Sequence, residues 1–194
     1  MPRLELGDIR REQICRSAAA VIAERGFPGS TMRLVAEHAE VSTGMLNHYF
    51  SNRAEMLLET LVFVSRRMSA RCAAAIKDVP AGEERIRALL KAALPTDNEA
   101  TVCWRVWIAA YGEAVRSDEL RTTIESRLEP WYEIVDYALA GADGKAAGPD
   151  VPLSWQVDAL LNGLAIQWLT AKADLELEQI EETIVAFVMN GDTD

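Results

Sequence analysis

The segment Thr31-Met32-Arg33-Leu34-Val35-Ala36-Glu37-His38-Ala39-Glu40-Val41-Ser42-Thr43-Gly44-Met45-Leu46-Asn47-His48-Tyr49-Phe50 constrains the fold more than any other part of this chain. Hydroxyl side chains stand at two helix starts, Ser30 or Thr31 and then Ser42. The apolar residues that follow, Met32, Val35, Ala36 and Ala39 and then Leu46 and Phe50, recur at helical spacing. The segment reads as two short helices joined by a tight turn, the second with small and polar residues outward. The same period runs through the rest of the chain. From Asp8 as N-cap, Ile14, Ala18, Val21 and Ile22 form one stripe, which Gly26 ends as a C-cap. A fourth helix opens at Ser51 or Asn52, buries Leu57, Leu61, Val64 and Met68, and runs to about Lys77. Further helices are expected at about 83–94, 99–116, 118–140, 153–173 and 176–189. Pro130 should kink or divide the helix it falls in, and residues 141–150 form the one clear flexible loop. No segment alternates convincingly as a strand, so the fold class is all-α.

At 194 residues, 49% of them hydrophobic, the chain is long enough for a substantial core. No apolar run approaches the roughly 18 to 20 residues that span a bilayer. The start lacks the apolar core of a signal peptide, which points to the cytoplasm. Three well-separated cysteines, Cys15, Cys72 and Cys103, offer no disulfide framework and no CxxC motif, and read as small buried residues. A net charge of −10 argues against nucleic acid until its distribution is considered. Residues 1–53 hold seven Arg against six Asp and Glu, a net of +1, which leaves −11 on residues 54–194. The acid belongs to the body, and every basic group of the amino-terminal part is arginine.

A helix that enters the major groove keeps its outward face small or hydrogen-bonding and anchors its inward face to a scaffold. Residues 42–50 divide in that way. Ser42 and Thr43 set hydroxyls beside a helix start, where backbone N–H groups favour phosphate. Gly44 permits close approach, Asn47 can donate and accept at a base edge, and Tyr49 can reach a phosphate through its hydroxyl. Arg33 and Arg53 bracket the site with charge. For His48 two readings stand, a direct contact or a surface or internally satisfied histidine. His38 has no neighbouring ligand types that would suggest a metal.

These residues, continuing to Glu55-Met56-Leu57, resemble the DNA-binding domain of the TetR family of bacterial transcriptional regulators over about residues 9–57. Val41-Ser42-Thr43-Gly44 with His48-Tyr49-Phe50 looks like the BetI branch, and Trp104-Arg105-Val106-Trp107-Ile108-Ala109-Ala110-Tyr111 with Asp118-Glu119-Leu120-Arg121 is similar to its body. The resemblance implies a three-helix helix-turn-helix domain over residues 1–53 and a larger effector-binding and dimerisation domain over 54–194. It also implies a homodimer on a palindromic double-stranded DNA operator, with an unidentified small molecule as effector and the last two helices as dimer interface. By position, Arg33, Thr43, Gly44, Asn47, Tyr49 and Arg53 are the expected DNA contacts. Two departures matter. Glu40 stands where the family usually has a turn glycine, so a non-glycine has to adopt φ > 0 beside the phosphates. Ser51 occupies a position that is often basic. Both changes should weaken attraction to DNA; Arg3, Arg10 and Arg11 either offset this as a basic arm or are merely solvated.

In the body, Trp104, Trp107 and Tyr111 recur on one helix face and, with Met68 and Trp168, are candidates to line an effector pocket; plain core packing is the other reading. A cage for choline or another quaternary ammonium would need aromatics converging from several helices. Trp155, Leu160, Leu164, Ile184 and Phe187 are the candidate dimer contacts, with Gly163 and Ala165 allowing close approach of another helix; packing within the chain alone is the other reading. The acids Glu176, Glu178, Glu181 and Glu182 read as a solvated helix face. No P-loop, GxGxxG, HExxH or recognisable Ser-His-acid or Cys-His set is present, so neither an enzyme nor a cofactor is expected. The expected function is an effector-responsive DNA-binding repressor. The alternative is a helical ligand-binding or interaction module that has lost DNA binding, for which Glu40, Ser51 and the acidic total speak.

Overall fold

The fold was obtained as a computed structural model that describes residues 3–141, 151–171 and 175–189. Among these every regular element is an α-helix: α1 (Arg3–Gly29), α2 (Met32–His38), α3 (Thr43–Tyr49), α4 (Arg53–Ile76), α5 (Glu83–Ala93), α6 (Asn98–Ala114), α7 (Asp118–Leu139), α8 (Leu153–Thr170) and α9 (Leu177–Met189). None is long and apolar enough to cross a membrane. The chain packs as two compact units. One holds the described residues up to Arg67 together with Thr101–Arg127; the other holds Met68–Ala100 and the described residues from Leu128 onward. The sequence reading divides the chain after Arg53, whereas α4, α6 and α7 each supply residues to both units, so neither unit is one stretch of chain.

In the first unit α2 packs against both α1 and α3. Ile14, Ala18, Val21 and Ile22 of α1 are buried with Val35, Ala36, Leu46, Phe50, Leu57, Leu61 and Val64. Gly26 stands at φ 67° and ψ 175°, outside helical values, and so interrupts α1 where the sequence places its end. The buried Ser30 hydroxyl then donates to the Gly26 carbonyl at 2.7 Å, which satisfies an acceptor freed by the break.

In the second unit α9 packs on α8 and on α5. Its inward stripe is Ile180, Ile184 and Val188, each with no exposed surface. Glu181 corrects the expectation of a solvated acidic face: it is buried and pairs with Arg87 of α5 at 3.1 Å, while Glu182 takes the same guanidinium at 2.6 Å. The carboxylate tolerates burial because an opposite charge accompanies it. Pro130 does not divide α7, which runs unbroken through it. It is exposed, as is Ser126, so the carbonyl that loses its helical donor there can turn to water. Beyond Gly141, the expected loop lies outside the described residues. Cys15, Cys72 and Cys103 are buried free thiols; burial pushes Cys15 up to about 11 and Cys72 up to about 12.

Candidate nucleic-acid interface

Helices α2 and α3 have seven residues each, too few for independent stability. Capping and burial hold them. The Thr31 hydroxyl accepts from Leu34 N at 3.2 Å and the Ser42 hydroxyl from Met45 N at 3.1 Å. Leu46 and Phe50 have no exposed surface, and each contributes about 1.5–3 kcal/mol by that burial. Between the helices, Val41 N donates to Ala36 O at 3.0 Å and Glu40 N to Glu37 O at 3.2 Å, the paired bonds of a Schellman C-cap. That motif needs a left-handed residue at the position of Glu40, and its φ is 55°, as the sequence requires of a turn without glycine.

At about 100° per residue, fixing Leu46 inward places Gly44 and His48 on the crest of α3, Thr43 and Asn47 on one flank, and Met45 and Tyr49 on the other. Exposure agrees: Ser42, Thr43, Gly44, Met45, Asn47 and His48 are exposed and Tyr49 is half-buried, its ring edge-on to His48 with centroids 5.4 Å apart. A methyl built at Gly44 would meet only the Ser42 hydroxyl, at 3.8 Å, so nothing inside the chain requires glycine there. At Gly44 the crest is bare backbone by composition, not by steric necessity.

The arginines divide into two groups. Arg33 is exposed and pairs with Glu37 one turn on, at 2.6 Å. An exposed pair of this kind contributes only about 0.3–0.5 kcal/mol, so a phosphate can displace it. Arg53, expected to flank the site with free charge, is turned inward instead. Its Nε donates to Ser30 O at 2.6 Å and a terminal nitrogen donates to Phe27 O, stitching the start of α4 to the end of α1. Arg11, expected in a basic arm, also turns inward. It donates to the Tyr49 carbonyl at 3.1 Å, lies 4.8 Å over the Phe50 ring, and pairs with Glu55 and Glu59 of α4 at 3.3 and 3.4 Å. It thus ties the C-terminal end of α3, where the dipole favours a cation, to α1 and α4. The sequence carries a signal for this: Arg11 falls three, four and seven residues before the buried Ile14, Cys15 and Ala18, on the inward face of α1. Arg10 remains exposed beside Gln13, and the side chain of Arg3 lies outside the described residues.

Glu55 completes the frame. It accepts from Ser51 N at 2.7 Å while its own N–H donates to Asn52 Oδ1 at 2.9 Å, so that two capping bonds hold the start of α4. Hydrogen bonds from the backbone N–H and the side chain of Ser51, with Arg11 nearby, hold the Glu55 carboxyl below the usual range. Ser51, where a base is often found, is here part of a cap.

Among the candidate pocket residues, Trp107 and Tyr111 are half-buried with ring centroids 5.4 Å apart, and Trp104 is buried, all on the part of α6 in the first unit. Met68 and Trp168 are half-buried in the second unit. Of the candidate dimer contacts, Trp155 is 53% exposed and stacks on Tyr132, centroids 5.3 Å apart, and Leu160, Leu164 and Phe187 are half-buried. Ile184 does not join them, because it is enclosed by its own chain as part of the inward stripe of α9. Beside Trp155, Trp131 Nε1 donates to Asp158 at 2.7 Å; burial raises the Asp158 carboxyl and the hydrogen bonds of Trp131 and Asn162 oppose it. Among the described residues no three His, Cys, Asp or Glu side chains gather as a metal site.

Two family descriptions match this chain: "Bacterial regulatory proteins, tetR family" over residues 14–60 and "BetI-type transcriptional repressor, C-terminal" over residues 80–191. An HTH-type transcriptional regulator BetI of Rhizobium meliloti (strain 1021) is 31% identical over 121 residues, 62% of this chain and 60% of that protein. The BetI of Burkholderia mallei (strain NCTC 10229) is 32% identical over 124 residues, 62% of this chain and 63% of that one. The chain therefore spans about three-fifths of the length of the curated relatives it matches. Among solved structures, a transcriptional regulator of Saccharomonospora viridis in complex with choline superposes with a TM-score of 0.80 at 22% identity, covering 93% of this chain and 95% of that one. The regulator FadR of Bacillus subtilis in complex with stearoyl-CoA does so with a TM-score of 0.71 at 19% identity, covering 93% and 98%. At such identities the likeness is one of fold.

Proposed function

Because the chain belongs to the TetR family, with a carboxy-terminal region of the BetI-type transcriptional repressors, we propose that it represses transcription by binding operator DNA through the outward face of α3 and releases it when a small molecule binds the helical body. One observation carries this reading. The crest and flanks of α3 are exposed from Thr43 to His48 except at Leu46, which with Phe50 is wholly buried. This is the division a helix needs to enter the major groove while remaining fixed to its scaffold. Thr43 and Asn47 face the bases with His48 between the flanks, Ser42 and Tyr49 reach phosphates, and Arg33 exchanges Glu37 for a phosphate. Arg53 supports the site from behind.

The same reading takes the protein as a homodimer on a palindromic operator, one α3 covering one half-site and two-fold symmetry repeating it about one helical turn away. Trp155, Leu160, Leu164 and Phe187 remain the candidate contacts between protomers. For the effector, the two structures named above hold ligands as different as choline and stearoyl-CoA on one fold. The fold therefore does not select the ligand, and choline is the first compound to test, with the α6 face of Trp104, Trp107 and Tyr111 in the first unit as its candidate contact.

The test is titration of the purified protein with DNA from upstream of its own gene. Binding should fall with salt at a slope near −0.9 in log units for each phosphate neutralised. Arg33→Ala and Tyr49→Ala should abolish it with helicity and oligomeric state intact. Intact binding in both variants refutes the contact assignment. The second reading, a ligand-binding module without an operator, draws on the exposed carboxylate that Glu40 holds in the turn before α3. It is favoured if no upstream DNA is retained.

A further inference from the structure

The outward face of α3 contains no lysine or arginine, and the arginines around it are engaged, Arg11 with the Tyr49 carbonyl, Glu55 and Glu59, Arg33 with Glu37, and Arg53 with the carbonyls of Phe27 and Ser30. The commonest device for reading guanine, a guanidinium or ammonium on O6 and N7, is therefore missing from this helix. The groups that are present discriminate differently. Thr43 offers a hydroxyl that suits any base, and the His48 ring offers a hydrogen bond that the N7 of guanine and that of adenine accept alike. Asn47 carries an amide, whose paired donor and acceptor match adenine N6 and N7. On the opposite flank Met45 holds a large apolar side chain 43% exposed, one turn before Tyr49. The apolar group that the major groove displays is the thymine C5-methyl. Adenine N6/N7 and the thymine methyl lie at opposite sides of the groove, as Asn47 and Met45 lie on opposite flanks of α3.

We infer that α3 reads A·T pairs, Asn47 on adenine and Met45 on a thymine methyl, and that Met45 is a specificity-determining residue. The inference rests on the proposed operator binding and goes beyond it by naming the bases. Loss of one buried methyl corresponds to a drop in affinity of about fourfold per half-site, and about 15-fold for a symmetric dimer site.

The experiment selects duplexes from a random-sequence pool with the full-length protein, then replaces the thymines of the enriched half-site one at a time by deoxyuridine, which removes only the methyl. One position should weaken binding by the stated factor, and Met45→Ala should bind thymine and deoxyuridine duplexes equally there. Since Met45 is exposed, that variant keeps the fold, which circular dichroism checks. Enriched half-sites with a G·C core, indifference of the wild type to deoxyuridine at every position, or undiminished sensitivity in Met45→Ala each overturn the inference while leaving operator binding intact. Failure to enrich any duplex refutes operator binding itself, and this inference with it.

Discussion

Gly44→Ala separates what α3 needs for folding from what it needs for DNA, because the two effects have opposite signs. A methyl there meets nothing closer than the Ser42 hydroxyl at 3.8 Å, an ordinary contact, and Gly44 is an exposed helical position. Replacing an unconstrained helical glycine by alanine stabilises a protein by about 0.5–1 kcal/mol, less in a first turn than in an interior. For a chain of this size that is an increase in melting temperature of about 1–4 °C. The same methyl stands on the crest of α3, opposite the buried Leu46, where backbone and bases would otherwise approach most closely. Pushing the helix outward by a methyl radius lengthens the contacts of Thr43, Asn47 and His48 together. Loss of even one good base contact, at about 1–3 kcal/mol, lowers affinity about fivefold or more. Urea and thermal unfolding measure the first effect, and titration of a labelled operator well below the melting temperature measures the second. A Gly44→Ala protein that melts lower than wild type refutes the reading of the local packing. One that melts higher and binds its operator undiminished removes the crest of α3 from the interface.

Other substitutions test the supporting frame. Arg11→Ala should destabilise the protein by about 2 kcal/mol, from one charged hydrogen bond, two half-exposed ion pairs and a cation–π contact that do not add fully. Its salt slope on DNA should stay that of wild type, and a slope reduced by about one per subunit, with unchanged stability, would make Arg11 a phosphate contact instead. Glu40→Gly relieves a left-handed non-glycine at φ 55° and should raise stability by about 1 kcal/mol in thermal unfolding. The same change removes a carboxylate near the phosphates, so tighter operator binding should accompany it. Asp158→Asn keeps an acceptor for Trp131 and removes a carboxyl that burial raises. Such a group holds its proton longer when folded, so its contribution to stability is present in acid and lost as pH rises through the ordinary carboxylate value of about 4 and on to the folded value. The Asn variant should therefore gain on wild type in urea melts as pH rises from about 4 to 7, and a constant difference would refute the assignment.

Most of the elements were legible in the sequence, because their signals are local. Thr31 and Ser42 each cap a helix three residues ahead of the N–H they accept, and Glu55 caps within four residues of Ser51. Glu40 had to take a positive φ because the turn geometry leaves no other choice once glycine is absent. The inward and outward faces of α3 likewise follow from the helical period acting on Leu46 and Phe50.

Packing in three dimensions fixes where the long charged side chains place their charge. Arg11 and Arg53 looked available for phosphate, yet their partners lie 38 and 23 residues away, on Tyr49 and Ser30. Glu181 finds Arg87 across 94 residues, and Ile184 is buried because α9 meets α8 and α5. Helical period and capping act over three or four residues and can be read along the chain. A guanidinium on a flexible stem binds the nearest acceptor in space, and folding alone determines which acceptor that is.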